Sequence, residues 1–178
     1  MSKTSSVLVG CIERTAWVKV EGRGTFQNSA GLKEYVKQMI QRGFRDFVVD
    51  LKDCEQMDST FMGTLAGVAL RLREIGQGAL RAVNVNERNL GLLSSLGLDQ
   101  LFQVEAVATT DGSLPAEPQL KEAVPSEPVD PDTQKQTVLE AHEDLVKVDA
   151  ANEVKFRDVL DFLRQELNAP DSEKTQDG

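Results

Sequence analysis

Asp58-Ser59-Thr60 stand where an apolar run, Phe47 to Leu51, gives way to a second, helix-like one. An aspartate and two hydroxyls in this place admit three chemistries. Ser, Thr and Asp all accept a hydrogen bond from the free N–H groups of a starting helix, so the simplest use is a cap. A serine nucleophile needs a base to activate it. A phosphoacceptor serine at a helix start would carry about −1.5 to −2 charges beside Asp58, and helix N-termini tolerate anions.

The rest of the chain restricts these choices. Its 178 residues contain one Trp (Trp17), one Tyr (Tyr35) and one His (His142). A His-rich metal site is thereby excluded, and a Ser-His-Asp triad would depend wholly on His142, far along the chain. The nucleophile-elbow pattern GxSxG is absent around Ser59, so a hydrolase is rejected and no enzyme activity is expected. Cys11 and Cys54 lack metal spacing and form no CxxC pair; they read as small core residues. Gly22 and Gly24, in "EGRGTF", complete no phosphate-loop pattern and read as a tight turn. No cofactor and no metal are expected. On local chemistry alone, the cap is the favoured role for Ser59.

Charge separates two regions. Residues 1–105 hold 13 Lys+Arg against 12 Asp+Glu, while residues 106–178 hold 7 against 17. The first part has no basic footprint and the second would repel phosphates, which argues against nucleic acid. Without a signal segment or an apolar run of spanning length, no membrane association is expected and the cytoplasm is the expected compartment.

The elements that must position Ser59 follow from periodicity. Ser6 to Ile12 and Ala16 to Gly22 read as strands around a Glu13-Arg14-Thr15 turn. In the second, Trp17, Lys19 and Glu21 oppose Val18 and Val20. Asn28-Ser29 can cap a helix running to Arg42, with Leu32, Tyr35, Val36, Met39 and Ile40 on one face and Gly43 as its stop. Asp46–Leu51 suits a strand buried on both faces. After a polar link, Lys52 to Met57, a helix from Ser59 to Ile75 carries Met62, Leu65, Ala66, Ala69 and Leu72 on its stripe. Gly76–Gly78 ends it. Ala79–Val85 reads as a strand, Glu87–Leu96 as a short helix and Leu101–Val104 as a last strand. Such alternation implies an α/β domain, a mixed sheet flanked by helices.

Five of the six prolines (Pro115, Pro118, Pro125, Pro128 and Pro131) fall between Glu105 and Pro131. The division expected is therefore a domain over 1–105, a Pro/Glu-rich linker over 106–132, an amphipathic helical extension over 133–168 and a frayed tail over 169–178. The extension is one helix, or two broken near Ala150-Ala151-Asn152. Its apolar stripe needs a cover, for an isolated amphipathic helix is marginal in water. Its own domain, another protein and a second copy, giving a homo-oligomer through 133–168, all satisfy that need.

The run "FVVDLKDCEQMDSTFMGTLAGVALRLREIGQGALRAVNVNERNLGLLSSLGLDQLFQV" resembles the STAS domain of bacterial anti-sigma factor antagonists. The features that carry the resemblance are Asp50-Leu51, Asp58-Ser59-Thr60, Gly76, Asn84 or Asn86, and Gly97-Leu98-Asp99-Gln100-Leu101-Phe102, with the match extending over roughly residues 5–105. It implies a phosphorylation-gated protein-binding module acting in transcription regulation and signal transduction. Ser59 would be the phosphoacceptor, with Thr60 a second candidate. The implied partners are a serine kinase that doubles as anti-sigma factor, bound when Ser59 is unphosphorylated, and a PP2C-type phosphatase that restores binding. Asp58, Ser59, Thr60, Phe61, Gly63, Thr25 and Phe26 would form the partner face. The sequence departs from the family twice: the loop Gly22-Arg23-Gly24-Thr25-Phe26 has no acid, and Phe61 stands where Gly is usual. The alternative reading is a constitutive STAS scaffold or accessory subunit of a multiprotein assembly, with Ser59 only a helix cap.

Overall fold

A computed structural model describes residues 5–106, 117–122 and 130–168. Among them, seven strands and five α-helices alternate. β1 (Ser6–Ile12) and β2 (Thr15–Gly24) form an antiparallel hairpin. α1 (Phe26–Gln41) leads to β3 (Asp46–Asp50), β4 (Cys54–Met57) to α2 (Ser59–Ile75), then β5 (Ala79–Val85), α3 (Glu87–Ser95), a 3₁₀ turn at Leu98–Gln100 and β6 (Gln103–Ala106). The sheet order is β6-β5-β3-β2-β1-β7, where β7 (Lys121–Glu122) pairs with β1 and β4 pairs with β2 off this path. Three parallel crossovers, β2 to β3, β3 to β5 and β5 to β6, each step outward in the same direction. A constant crossover hand therefore puts α1, α2 and α3 on one face.

Strand alternation sorts the two faces. Val18, Val20, Phe47, Val49 and Leu51 join Leu32, Val36, Met39, Leu65, Leu72 and Leu93 in one hydrophobic core. On the other face Trp17, Val48 and Val83 gather with Ile12 and Leu120. The expected split of β2, with Trp17 opposite Val18 and Val20, matches this.

Several boundaries differ from those read in the sequence. α1 starts at Phe26, capped by Thr25 and not by Asn28-Ser29. Asn28 instead reaches back, its Oδ1 accepting the Thr25 N–H at 2.9 Å, so a capping box closes the turn. The stretch Lys52 to Met57 contains β4, whose buried ends Cys54 and Met57 flank polar Glu55 and Gln56. The last strand is Gln103–Ala106, two residues later than expected, because Leu101 still caps the 3₁₀ turn.

The C-terminal extension is two helices, α4 (Pro131–Val148) and α5 (Ala151–Asn168), broken where the sequence placed the break. Pro131 belongs to the helix: Asp130 caps it and proline fits the first turn, where its missing N–H is no loss. β7 falls inside the expected linker, whose residues 107–116 and 123–129, like the tail 169–178, lie outside the described residues.

α4 docks on its own domain, against α2 with a smaller contact to α1. Leu145, fully buried, joins the main core. At the corner between the helices, the buried Asn152 amide donates to Leu96 O at 3.0 Å and to Leu145 O at 2.8 Å. α5 packs on α4 through Leu139, Leu160 and Leu163. α2 is consequently buried nearly all round, with Thr60 through Ala66, Val68, Ala69 and Leu72 all inside. A helix with so little polar face needs cover on both sides, and α4 supplies the second.

Candidate functional site

Asp58, not Ser59, is the cap of α2. Its extended backbone (φ −87°, ψ 173°) aims the carboxylate back over the first turn, where Oδ1 accepts the Phe61 N–H at 2.8 Å. Oδ2 accepts the Phe26 N–H at 2.9 Å, and the Asp58 N–H donates to Gly24 O at 2.8 Å. One side chain thus ties the start of α2 to the start of α1. The reading of Ser59 as the cap is corrected: with Asp58 in that role, Ser59 is the first helical residue and its hydroxyl is released for other use.

That hydroxyl meets His142 of α4, with Oγ 2.9 Å from Nε2. The imidazole Nδ1 lies 2.7 Å from Val138 O. A carbonyl only accepts, so Nδ1 carries a proton, and in the neutral ring Nε2 accepts from the Ser59 hydroxyl. The ring is 3% exposed and sits edge-on to Phe156 of α5, with centroids 4.8 Å apart. Just beyond, α4 crosses α2 at Gly63, where an added Cβ would stand 2.3 Å from Ala141 O. Only glycine permits this approach. Lys33 of α1 bonds Glu140 of α4 alongside; burial alone would raise the Glu140 carboxyl, but Lys33 and Gln136 outweigh it and hold it low.

The expected partner residues thus occupy different environments. Ser59, Asp58 and Thr25 are half-buried, and Phe26 is 40% exposed. Thr60 is buried, its carbonyl accepting from Thr64 Oγ1. Phe61 is fully buried, packed so closely on Gly24 that a Cβ there would lie 2.6 Å from its ring. An exposed docking patch containing Phe61 is therefore corrected: the ring fills the core where the first turn of α2 faces the sheet. Gly63 is covered by α4. His142 and Ala141 were missed as site residues. The available signal was register: Val138, His142 and Leu145 recur at i, i+4 and i+7, which puts the histidine on the apolar stripe.

A serine hydrogen-bonded to a histidine has the form of a nucleophile and base. Its surroundings do not extend that chemistry. Asp58 places a carboxylate at the helix N-terminus, where an oxyanion would need N–H donors. A cleft of about 510 Å³ between α1, α2 and α4 is lined by Lys33, Ile40, Gly67, Arg71 and Asp144, among others, and includes neither Ser59 nor His142. Among the described residues, no group of three or more His, Cys, Asp or Glu side chains is arranged to hold a metal, and no helix is long and apolar enough to cross a membrane.

A β-hairpin continued by three parallel crossovers, with the Asp-Ser turn at the start of α2, defines a STAS-type α/β domain. Residues 13–105, just over half of the chain, match the family model described as "Mlab, STAS domain". The chain belongs to the STAS family. Solved structures agree in fold. An anti-sigma factor antagonist from Mycobacterium paratuberculosis is 20% identical with a TM-score of 0.51, over 57% of this chain and 86% of that one. SpoIIAA of Bacillus in its unphosphorylated form is 16% identical with a TM-score of 0.50, over 56% and 87%. A Thermotoga maritima protein solved by NMR is 19% identical with a TM-score of 0.51, over 56% and 81%. No curated protein matches the sequence.

Proposed function

We propose that this chain is an anti-sigma factor antagonist-like regulator, a protein-binding module gated by phosphorylation of Ser59, and not an enzyme. The observation that carries this reading is the division of labour at the start of α2. Asp58 does all the capping, leaving a neighbouring hydroxyl at the first helical position with no part in holding the helix. The fold neighbours named as anti-sigma factor antagonists support it. The partner is a serine kinase acting as anti-sigma factor, opposed by a PP2C-type phosphatase; it docks beside Ser59 and Phe26, and phosphate adds about −1.5 to −2 charges next to Asp58 and ends the contact. Thr60 is a poorer acceptor, being buried.

The test is intact-mass spectrometry of the protein from its native host, with and without phosphatase. One phosphate mapped to Ser59, lost in Ser59→Ala, is the expected result; no modification in any growth state overturns the reading. A second reading, a constitutive scaffold or accessory subunit, is favoured by one observation: α4 covers Ser59. Under it, Ser59→Asp and Ser59→Ala co-purify the same partners as the natural chain.

A further inference from the structure

We propose that α4 and α5 form a lid in cis, which shields Ser59 while docked and is driven off when Ser59 carries a phosphate. The inference rests on the reading of Ser59 as phosphoacceptor and adds how access to it is controlled.

Three observations converge on α4. The Ser59 hydroxyl is spent on His142 Nε2 at 2.9 Å, so a kinase cannot approach it along that direction while the helix is seated. The Gly63–Ala141 approach leaves no room for anything between α2 and α4 one turn further on. The cover is nevertheless a separate element: no sheet crossover runs through it, and it follows the edge strand β7 in the chain.

Phosphorylation changes every term of the Ser59–His142 contact. An Oγ–P bond forms as the bond from the γ-phosphorus to the bridging oxygen of a nucleoside triphosphate breaks. The diphosphate leaves, and the hydroxyl proton passes to a base of the kinase. The product oxygen has no proton to donate, so Nε2 loses its donor. A tetrahedral dianionic group must then fit where Oγ and Nε2 already touch, beside the Asp58 carboxylate and against a ring that is 3% exposed. The neutral ring offers this charge no donor at Nε2 and Asp58 repels it, and moving α4 away relieves both. Phosphate would thus keep the lid open after the kinase has gone, exposing Gly63 and the outer face of α2.

The experiment is hydrogen–deuterium exchange by mass spectrometry on the full chain, with serine or genetically encoded phosphoserine at position 59. Amides of α4 and α5 should exchange at least about tenfold faster with phosphoserine, while those of β3 and β5 keep their protection. Equal or slower exchange in α4 overturns the lid. Should β3 also lose protection, the decision passes to Gly63→Ala, whose methyl wedges against Ala141 O without touching Ser59. In a Cys11→Ser, Ser59→Cys chain, adding Gly63→Ala should speed labelling of position 59 by a thiol reagent at least about tenfold, and an unchanged rate overturns the proposal. The two readings fail separately. Absence of phosphate on Ser59 in the native host removes the phosphoacceptor and leaves the labelling result standing, whereas an unmoved α4 removes the lid and leaves the phosphoacceptor.

Discussion

Replacing Asp58 tests whether this residue holds the two helix starts together or serves as an acidic neighbour to Ser59. Both carboxylate oxygens are used, Oδ1 by the Phe61 N–H and Oδ2 by the Phe26 N–H. Asp58→Ala loses both bonds. A cap is worth about 1 kcal/mol, and the Phe61 N–H, on a fully buried residue, is left without its partner. The second bond is charge-assisted but lies at the surface, so water recovers part of its roughly 1.5–3 kcal/mol. Together the loss comes to ~2–3 kcal/mol, a fall in melting temperature of ~4–12 °C for a chain of this size. Asn keeps one acceptor and turns an NH₂ toward the other N–H, so Asp58→Asn should cost about half as much. Urea unfolding followed by circular dichroism reads both. If the two variants lie within about 0.5 kcal/mol of the natural chain, the double cap is not what organises the site.

Phe61→Ala, emptying a fully buried site, should cost about 3–5 kcal/mol, whereas Phe26→Ala should stay within about 0.5 kcal/mol and weaken only partner binding; chemical denaturation and a pull-down separate the two. His142→Ala removes the Ser59 bond and the edge-on contact to Phe156 and should cost ~2 kcal/mol, read as faster amide exchange concentrated in α4. Cys11 is exposed, not the core residue read from the sequence, and burial pushes the Cys54 thiol up to about 11, so iodoacetamide near pH 8 should modify Cys11 and leave Cys54 unlabelled in the folded chain. Burial, helped by nearby Cys11, likewise pushes Tyr35 up to about 12. For both groups the folded state keeps a proton that the unfolded chain releases, so stability is full below about pH 9 and falls as pH rises through 9–12. Cys54 accounts for roughly 2–3 kcal/mol of that fall and the half-exposed Tyr35 for less, as urea midpoints across this range would show.

Much of the architecture was legible because burial leaves a period. β1, β5, α2 and the break between α4 and α5 lie where alternation, helical spacing and the Gly76–Gly78 stop placed them. What was not legible depends on contacts between distant residues. β4 has four residues and one exposed side chain at its centre, so it shows no pattern until β2 pairs with it. The choice among Asp58, Ser59 and Thr60 as cap was open because all three side chains can accept; the Phe26 N–H, 32 residues earlier in the chain, favours the only one with two equivalent oxygens. His142 was set aside for its distance in sequence from Ser59. It is 83 residues away, and only the docking of α4 brings it near. The stripe of the extension required a cover, but periodicity is the same whichever surface provides it.

β7 has only two residues, yet it bears on how any competitor could work. It fastens Lys121–Glu122 to β1, at the opposite edge of the sheet from β6. Eight residue steps separate Glu122 from Asp130 at the start of α4, at most ~29 Å of chain. While β7 stays paired, the start of α4 stays within that distance of Glu122, which sets an effective concentration in the millimolar range for α4 at its own site. A partner that takes the same face must therefore bind far better than α4 does intrinsically. Lengthening the 123–129 segment would lower that local concentration and shift the competition toward outside partners without altering a single contact in the site.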